Sequence, residues 1–320
     1  MIKKITLLFM FTIFFHVIVF ASGDDNTGAS DFQFLKMDVT ARSLALGGAF
    51  GAVSDDLSAI RYNPAGLRFL VRPEISATHV VWIEDFRSEY LGYARPIGTN
   101  KAIGFSLFHI GLGEDLLGRD EDGFVTGNLK FSQSVFLISG ATKLDRYDNY
   151  LLGANLKYAK EVLDYSEKVA MAMDMGLLIR IYRNVLLGTT IRNVGIGVSN
   201  LPVEQRIALS IVRRKVGFSL DAYKFSDTGV RYAFGMEYLI KDFFAARLGY
   251  NTSLRSLGDL LEYESMSSFS EYSVSGLSIG FGLLSNPIGF MGGNELKFDY
   301  AIVNYGKFGF THIFTLSMEL

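Results

Sequence analysis

Four histidines are the first residues to weigh for catalysis, since a Ser-His-acid arrangement needs imidazole within hydrogen-bond reach of both partners. His16 falls in an apolar N-terminal run, which leaves His79, His109 and His312. Ser106 precedes His109 by three residues, so on one strand the two side chains point to opposite faces. No catalytic residue is assigned. There is no cysteine, which excludes disulfides, thiolate metal sites, a cysteine nucleophile and a lipoprotein anchor. The acidic stretch Glu114-Asp115 to Asp120-Glu121-Asp122-Gly123 offers oxygen ligands, but its spacing is not that of a calcium-binding EF-hand loop. It reads as a solvated loop, and no metal is expected. Gly47-Gly48 and Gly51 lack the Lys-Ser/Thr and the preceding strand of a phosphate loop. Tight packing explains them better, and no cofactor is expected. A net charge of -2 leaves no basic excess for nucleic acid.

The elements that would position any site are strands. Phe (27) and Tyr (16) far outnumber Trp (1) and Pro (5), a balance suited to pleated surfaces. From Ile75 onward, apolar residues alternate with small or polar ones in blocks of about ten. Val230, Tyr232, Phe234, Met236 and Tyr238 share one face, with Arg231, Ala233, Gly235 and Glu237 on the other. Leu296, Phe298, Tyr300 and Ile302 likewise oppose Glu295, Lys297, Asp299 and Ala301. Blocks of this length match tilted membrane strands. Charge on the polar faces, at Asp174, Arg180, Asp221, Arg247 and Asp299, suits a lumen rather than a sandwich core.

Candidate strands fall at 75–82, 86–97, 101–111, 131–142, 149–161, 170–182, 185–192, 205–213, 216–225, 229–240, 243–251, 273–285, 294–304 and 311–320. The links after every even-numbered strand up to the tenth are short. Those after the third, seventh and eleventh (Leu112 to Lys130, Asn193 to Glu204, Thr252 to Tyr272) are long. Outer-membrane barrels have this parity, with short periplasmic turns and longer outer loops. Lipid offers no partner for a free N–H or C=O, so a spanning sheet must close on itself. The expected fold is all-β: a transmembrane antiparallel barrel of about fourteen strands over residues 74–320, in a bacterial outer membrane.

Residues 1–21 read as a signal peptide. Lys3 and Lys4 precede the apolar run Ile5 to Phe20, and Val19 and Ala21 satisfy the small-residue rule for cleavage. The run is about 16 residues, short of the roughly 20 that a helical span needs. Residues 22–73 break the strand pattern and are rich in small side chains. Asp55 and Asp56 can cap a short helix beginning near Leu57. Pro64 forces Asn63 out of the helical region, and Asn63-Pro64-Ala65-Gly66 forms a turn. Such a segment can fold back inside the barrel as a plug.

The stretch Arg42 to Gly51, then Asp55-Asp56 and Tyr62-Asn63-Pro64-Ala65-Gly66-Leu67, resembles the N-terminal signature of the PorV/PorQ family of outer-membrane proteins. That family is similar in turn to FadL-like long-chain fatty-acid transporters, which have fourteen strands and an Asn-Pro-Ala segment in an N-terminal hatch. The terminal Leu320 departs from the aromatic residue that often ends such barrels, although Phe314 keeps one in the last strand. The resemblance implies a luminal hatch and one of two roles. The first is FadL-like passive uptake or binding of small hydrophobic molecules. The alternative is a PorV-like component of type IX protein secretion. The hatch or gate residues would be Gly47, Gly48, Asp55, Asp56, Asn63, Pro64, Ala65 and Gly66. Charges on the lumen would be Arg180, Arg231, Glu237, Arg247, Lys297 and Asp299, and loop capture would use Leu112, Leu116, Leu117 and Phe124. Expected partners are outer-membrane lipid, hydrophobic small molecules and the barrel-assembly machinery, with secretion-system proteins for the alternative role.

Overall fold

The computed structural model describes residues 28–82, 86–112, 117–119, 125–128, 130–197, 200–241, 243–253, 276–284, 295–306 and 309–320. The expected signal peptide lies outside them. The strands are β1 (Glu74–Val81), β2 (Phe86–Ile97), β3 (Lys101–Leu112), β4 (Leu117–Arg119), β5 (Val125–Asn128), β6 (Phe131–Lys143), β7 (Tyr150–Leu163) and β8 (Ser166–Tyr182). They continue as β9 (Val185–Gly195), β10 (Glu204–Arg213), β11 (Val216–Phe225), β12 (Arg231–Ile240), β13 (Phe244–Ser253), β14 (Leu277–Leu284), β15 (Glu295–Asn304) and β16 (Phe310–Glu319).

Fourteen of these, all but β4 and β5, form one closed antiparallel barrel. Closure is made by β1 against β16, in register from Glu74 opposite Glu319 to Val81 opposite His312. Every barrel strand expected from the alternation is present. Two departures occur at the long-loop end. The Leu112 to Lys130 link holds a small ribbon, β4 paired with β5. β7 and β8 run on to a two-residue turn at Asp164-Tyr165, because Leu163 still pairs with Ser166. The β8 arm of that hairpin extends past the β9 ladder, which begins at Ala172 opposite Gly195, whereas Phe131 of β6 still pairs with Leu163.

The faces are inverted relative to a soluble protein. Leu91, Leu107, Phe136, Phe234 and Leu316 are exposed on the outer wall, whereas Ser76, Thr78, Ser106 and Thr315 are buried within. Strand alternation thus turns the apolar set toward lipid. Among the described residues no helix is long and apolar enough to cross a membrane.

Residues 28–73 occupy the lumen as a hatch of short turns. It holds 3-10 turns at Gln33–Lys36 and Pro64–Phe69 and helical turns at Ala41–Ala45 and Ala59–Tyr62. Its backbone touches the wall where the wall has no side chain. A Cβ on Gly153 of β7 would lie 2.2 Å from the Ala65 nitrogen, and one on Gly176 of β8 would lie 2.1 Å from Asn63 Oδ1. On the opposite wall, a Cβ on Gly249 of β13 would lie 2.0 Å from the Gly47 nitrogen. The hatch therefore sits in a socket of missing side chains on both walls. Gly153→Val should displace the Asn63-Pro64 turn and destabilise the barrel by about 1–3 kcal/mol or more, as overpacking does. Gly140→Val, on the outer wall with no atom within 4 Å of its added Cβ, should be near neutral. Thermal unfolding in detergent would compare the two, and equal effects would contradict the socket.

Candidate functional site

The hatch motif makes its own scaffold. Pro64 leaves Asn63 extended at φ -150°, and the Asn63 side chain then accepts from the Ala65 N–H. Its amide donates to the Gly51 carbonyl at 2.9 Å and to Leu177 of β8 at 3.3 Å. One fully buried side chain thus ties two hatch turns to the wall. Gly47 and Gly48 have φ of +66° and +78°, a region that L side chains rarely adopt. Their carbonyls accept from Asn251 and Arg206 at 2.8 and 2.7 Å. Gly66 sits so close to Ser54 that any side chain there would collide with it. The helical turn begins at Ala59 rather than Leu57, and Ser58 at its N-cap makes no side-chain cap. Asp56 accepts from the Ser58 N–H at 2.8 Å just ahead of it, and Asp55 instead faces Arg42.

A buried belt of charge on β7 to β11 holds the middle of the hatch. Lys157 pairs with Asp174 at 2.9 Å, and Arg206 bridges Glu204 and Asp221, each at 2.7 Å. Arg192 pairs with Glu204 and donates to the Arg61 carbonyl. Asn155 donates to the Ile60 carbonyl at 2.7 Å, and Asp221 accepts from the Gly51 N–H at 2.8 Å. Opposite charges in contact offset part of the cost of burying these groups away from water. Lys157, Arg192, Glu204 and Arg206 were not singled out from the sequence. The available signal was inward parity: each is a charged residue on the lumen face of β7, β9 or β10. Arg61 of the hatch is also buried. It donates to the Met37 carbonyl and lies over the Phe108 ring, yet its Nε and Nη1 find no hydrogen-bond partner among the described residues.

The expected lumen charges divide. Glu237 accepts both Nε and Nη2 of hatch Arg42 at 3.0 Å, and Arg247 links Glu237 to Asp299 at 2.6 and 2.5 Å. Arg42 also reaches Asp55 and Asp56 at 2.6 and 2.8 Å. Burial works against an ionised Asp56, but Arg42 and Ser58 hold its carboxyl below the usual range. Lys297 pairs with Glu319 and joins the same cavity of about 190 Å³ at the short-turn end. The other two lie apart. Arg180 sits over hatch Phe69, and exposed Arg231 reaches Asn251 at the opposite end.

On β2, β3 and β6 the lumen is largely apolar. Tyr90, Phe108, Ile110, Val135 and Leu137 of β2, β3 and β6 form one cluster with hatch residues Phe34, Leu35, Leu57, Ile60 and Leu67. Trp82, Phe86 and Phe131 extend it toward the long-loop end. There, residues 30–36 are latched to Asp227, in the turn between β11 and β12. Lys36 donates at 2.6 and 2.7 Å, Gln33 at 3.0 Å and the Ser30 N–H at 3.2 Å. Burial alone would raise the Asp227 carboxyl, but these donors bring it down to about 2. Of the expected capture residues, Leu112 is half-buried at the end of β3 and Leu117 begins β4. Leu116 and Phe124 lie outside the described residues.

The three histidines among the described residues face outward. His79 pairs with Glu89 at 2.6 Å, His109 with Ser134 at 2.9 Å and His312 with Tyr300 at 2.7 Å. One spacing the sequence reasoning overlooked is Gly276-Leu277-Ser278-Ile279-Gly280, which matches a nucleophile elbow. It lies in β14 rather than at a strand-to-helix turn, and buried Ser278 donates to the Ala45 carbonyl at 3.3 Å.

A family model described as an uncharacterised protein family, UPF0164, matches residues 21–126. No curated protein matches the sequence. Among solved structures, the Ralstonia pickettii toluene transporter TbuX aligns with a TM-score of 0.57 at 13% identity, over 88% of this chain and 98% of that one. The Pseudomonas putida toluene transporter TodX gives 0.57 at 12%, over 87% and 96%. A Pseudomonas aeruginosa FadL homologue gives 0.54 at 11%, over 88% and 97%. At these identities the likeness is one of fold.

Because the folded carboxyl of Asp227 titrates at about 2, below its ordinary 3.8, the latch stabilises residues 30–36 fully above about pH 4. That contribution should be lost as the pH falls from there toward 2. Hydrogen exchange of residues 30–36, corrected for intrinsic rates, should lose protection over this window. Asp227→Asn should show weaker protection already at neutral pH and no such step. Identical profiles would contradict the latch.

Proposed function

We propose that this chain is an outer-membrane barrel of a double-membraned bacterium, exported by cleavage after residue 21, that passes small hydrophobic molecules passively across the membrane. The single observation that supports this most is the division of the lumen. One arc, on β7 to β15, is charged and binds the hatch through hydrogen bonds and ion pairs. The other arc, on β2, β3 and β6, is largely apolar and meets the hatch chiefly through side-chain packing, with one long hydrogen bond from the Tyr90 hydroxyl to the Leu57 carbonyl at 3.5 Å and no ion pair among the described residues. A hydrophobic molecule can compete with packing, but it cannot replace buried ion pairs. The apolar arc is thus the side on which the hatch yields.

In this proposal the short turns face the periplasm and the long loops face outward. Capture occurs at the outer loops, with Leu112, Leu116, Leu117 and Phe124 as the apolar contacts, and continues past Trp82, Phe86 and Phe131. Residues 30–36 then leave Asp227, and the hatch shifts about Asn63-Pro64-Ala65-Gly66 while Arg42 stays bound to Glu237. The unpartnered edge of Arg61 beside Phe108 suits a molecule with a polar end as well as an apolar body. The toluene transporters that share the fold lend the reading support at the level of architecture.

The absence of native cysteine makes the test clean. On the apolar arc, a Cβ on Gly92 of β2 would lie 2.8 Å from the side chain of hatch Leu57, so Gly92→Cys with Leu57→Cys should lock the hatch on oxidation at the side where it is proposed to yield. Vesicles containing the wild-type protein should take up a fluorescent alkyl probe faster than empty vesicles. The oxidised pair should reduce uptake to the empty-vesicle rate, and reduction should restore it. No acceleration by the wild-type protein would sink the proposal, and full activity of the locked form would sink the hatch mechanism.

A further inference from the structure

The two ends of the barrel carry opposite charge. The links at the long-loop end are acidic in sequence: Glu114, Asp115, Asp120, Glu121 and Asp122 against Arg119 and Lys130 in one, and Asp259, Glu262, Glu264 and Glu271 against Arg255 in another. The short-turn end is the reverse. Arg95 and Lys101 flank the β2–β3 turn, Arg146 lies in the β6–β7 turn, and Arg183, Arg214 and Lys241 lie in the turns that follow round to β13. All six are exposed, and none forms an ion pair with a described carboxylate.

The nearby acids are occupied locally. Asp148 faces Arg68 and Lys143 at 3.5 and 3.4 Å. Asp145 accepts from the backbone of Tyr147, Asn149 and Tyr150. Asp242 follows Lys241 in sequence and lies outside the described residues. The positive charge at this rim is therefore left facing outward, one turn after another around the circumference.

Exposed aromatic side chains alternate with these bases. Tyr147 is 76% exposed and Tyr182 70%, with Phe218 and Phe243 also exposed on the same rim. Amphipathic rings concentrate where hydrocarbon meets headgroup, which places the bases at headgroup depth. A partner protein would occupy one patch, whereas this pattern is spread over successive turns. Its complement is an annulus of negative charge. Clustered bases at a membrane surface are attracted to anionic lipid.

We propose that the ring of exposed bases at the short-turn end binds the phosphodiester headgroups of anionic phospholipids in the adjacent leaflet. The bases fix the depth and tilt of the barrel from one side only. The acidic loops at the other end are repelled from the same lipids. The proposal rests on membrane embedding but not on what passes through the lumen, so it stands or falls separately from the uptake assay.

The test uses the detergent-purified full barrel with equal amounts of phosphatidylglycerol and phosphatidylcholine of the same acyl chains, read by native mass spectrometry. Phosphatidylglycerol should be retained about fivefold or more over phosphatidylcholine at low salt. The preference should shrink at high salt, where exposed charges are screened. Combined Arg146→Gln, Arg183→Gln, Arg214→Gln and Lys241→Gln should abolish it, while Arg87→Gln with Lys130→Gln, at the opposite end, should not. Migration on unheated gels confirms that each variant is folded. Equal retention of the two lipids, or a preference that survives the four substitutions, would overturn the proposal. Binding of soluble polyglutamate in place of a lipid preference would assign the ring to an acidic protein and overturn it too.

Discussion

Closure of the sheet is the constraint on which every other feature depends. A backbone amide facing hydrocarbon has no solvent to bind, so each must find a partner along its strands. The β1–β16 seam supplies the last of these pairings. Once the sheet is closed, the alternation of side chains has only two destinations. Apolar positions go to the outer wall, and the small, polar and charged ones enclose a lumen that must be filled or flooded.

Here it is filled by the chain's own N-terminal segment, and the manner of filling creates the asymmetry that function can use. The hatch backbone rests against wall glycines on two sides and against a balanced belt of Lys157, Asp174, Arg192, Glu204, Arg206 and Asp221. Removing one partner of such a pair would leave a buried charge uncompensated, which is strongly destabilising. These contacts fix where the hatch must stay. Against Phe108, Val135 and Leu137 the contact is packing, which is non-directional and can be exchanged for another apolar body.

The barrel was legible in the sequence because period-two alternation is a local signal repeated strand after strand. The block around Phe234 shows its apolar face as plainly in the sequence as on the outer wall. The hatch motif was legible from Pro64 and its neighbours. The charged belt was not: Lys157 and Arg206 lie far apart in the chain, and only strand register brings their surroundings together. The clustering of Glu237, Arg247 and Asp299 with Arg42, and the separation of Arg231 from them, have the same cause. Parity marks a residue as inward-facing but does not give its height along the barrel axis.

The most direct measurement is a cross-link between the first and last strands. Ala77 of β1 and Leu316 of β16 are register partners on the outer wall, away from the hatch. In a chain without other cysteines, Ala77→Cys with Leu316→Cys should oxidise to a disulfide within a single chain, with the folded gel mobility retained. An oxidised protein that links only between chains, or not at all while still folded, would contradict the closed barrel and the filled lumen built on it.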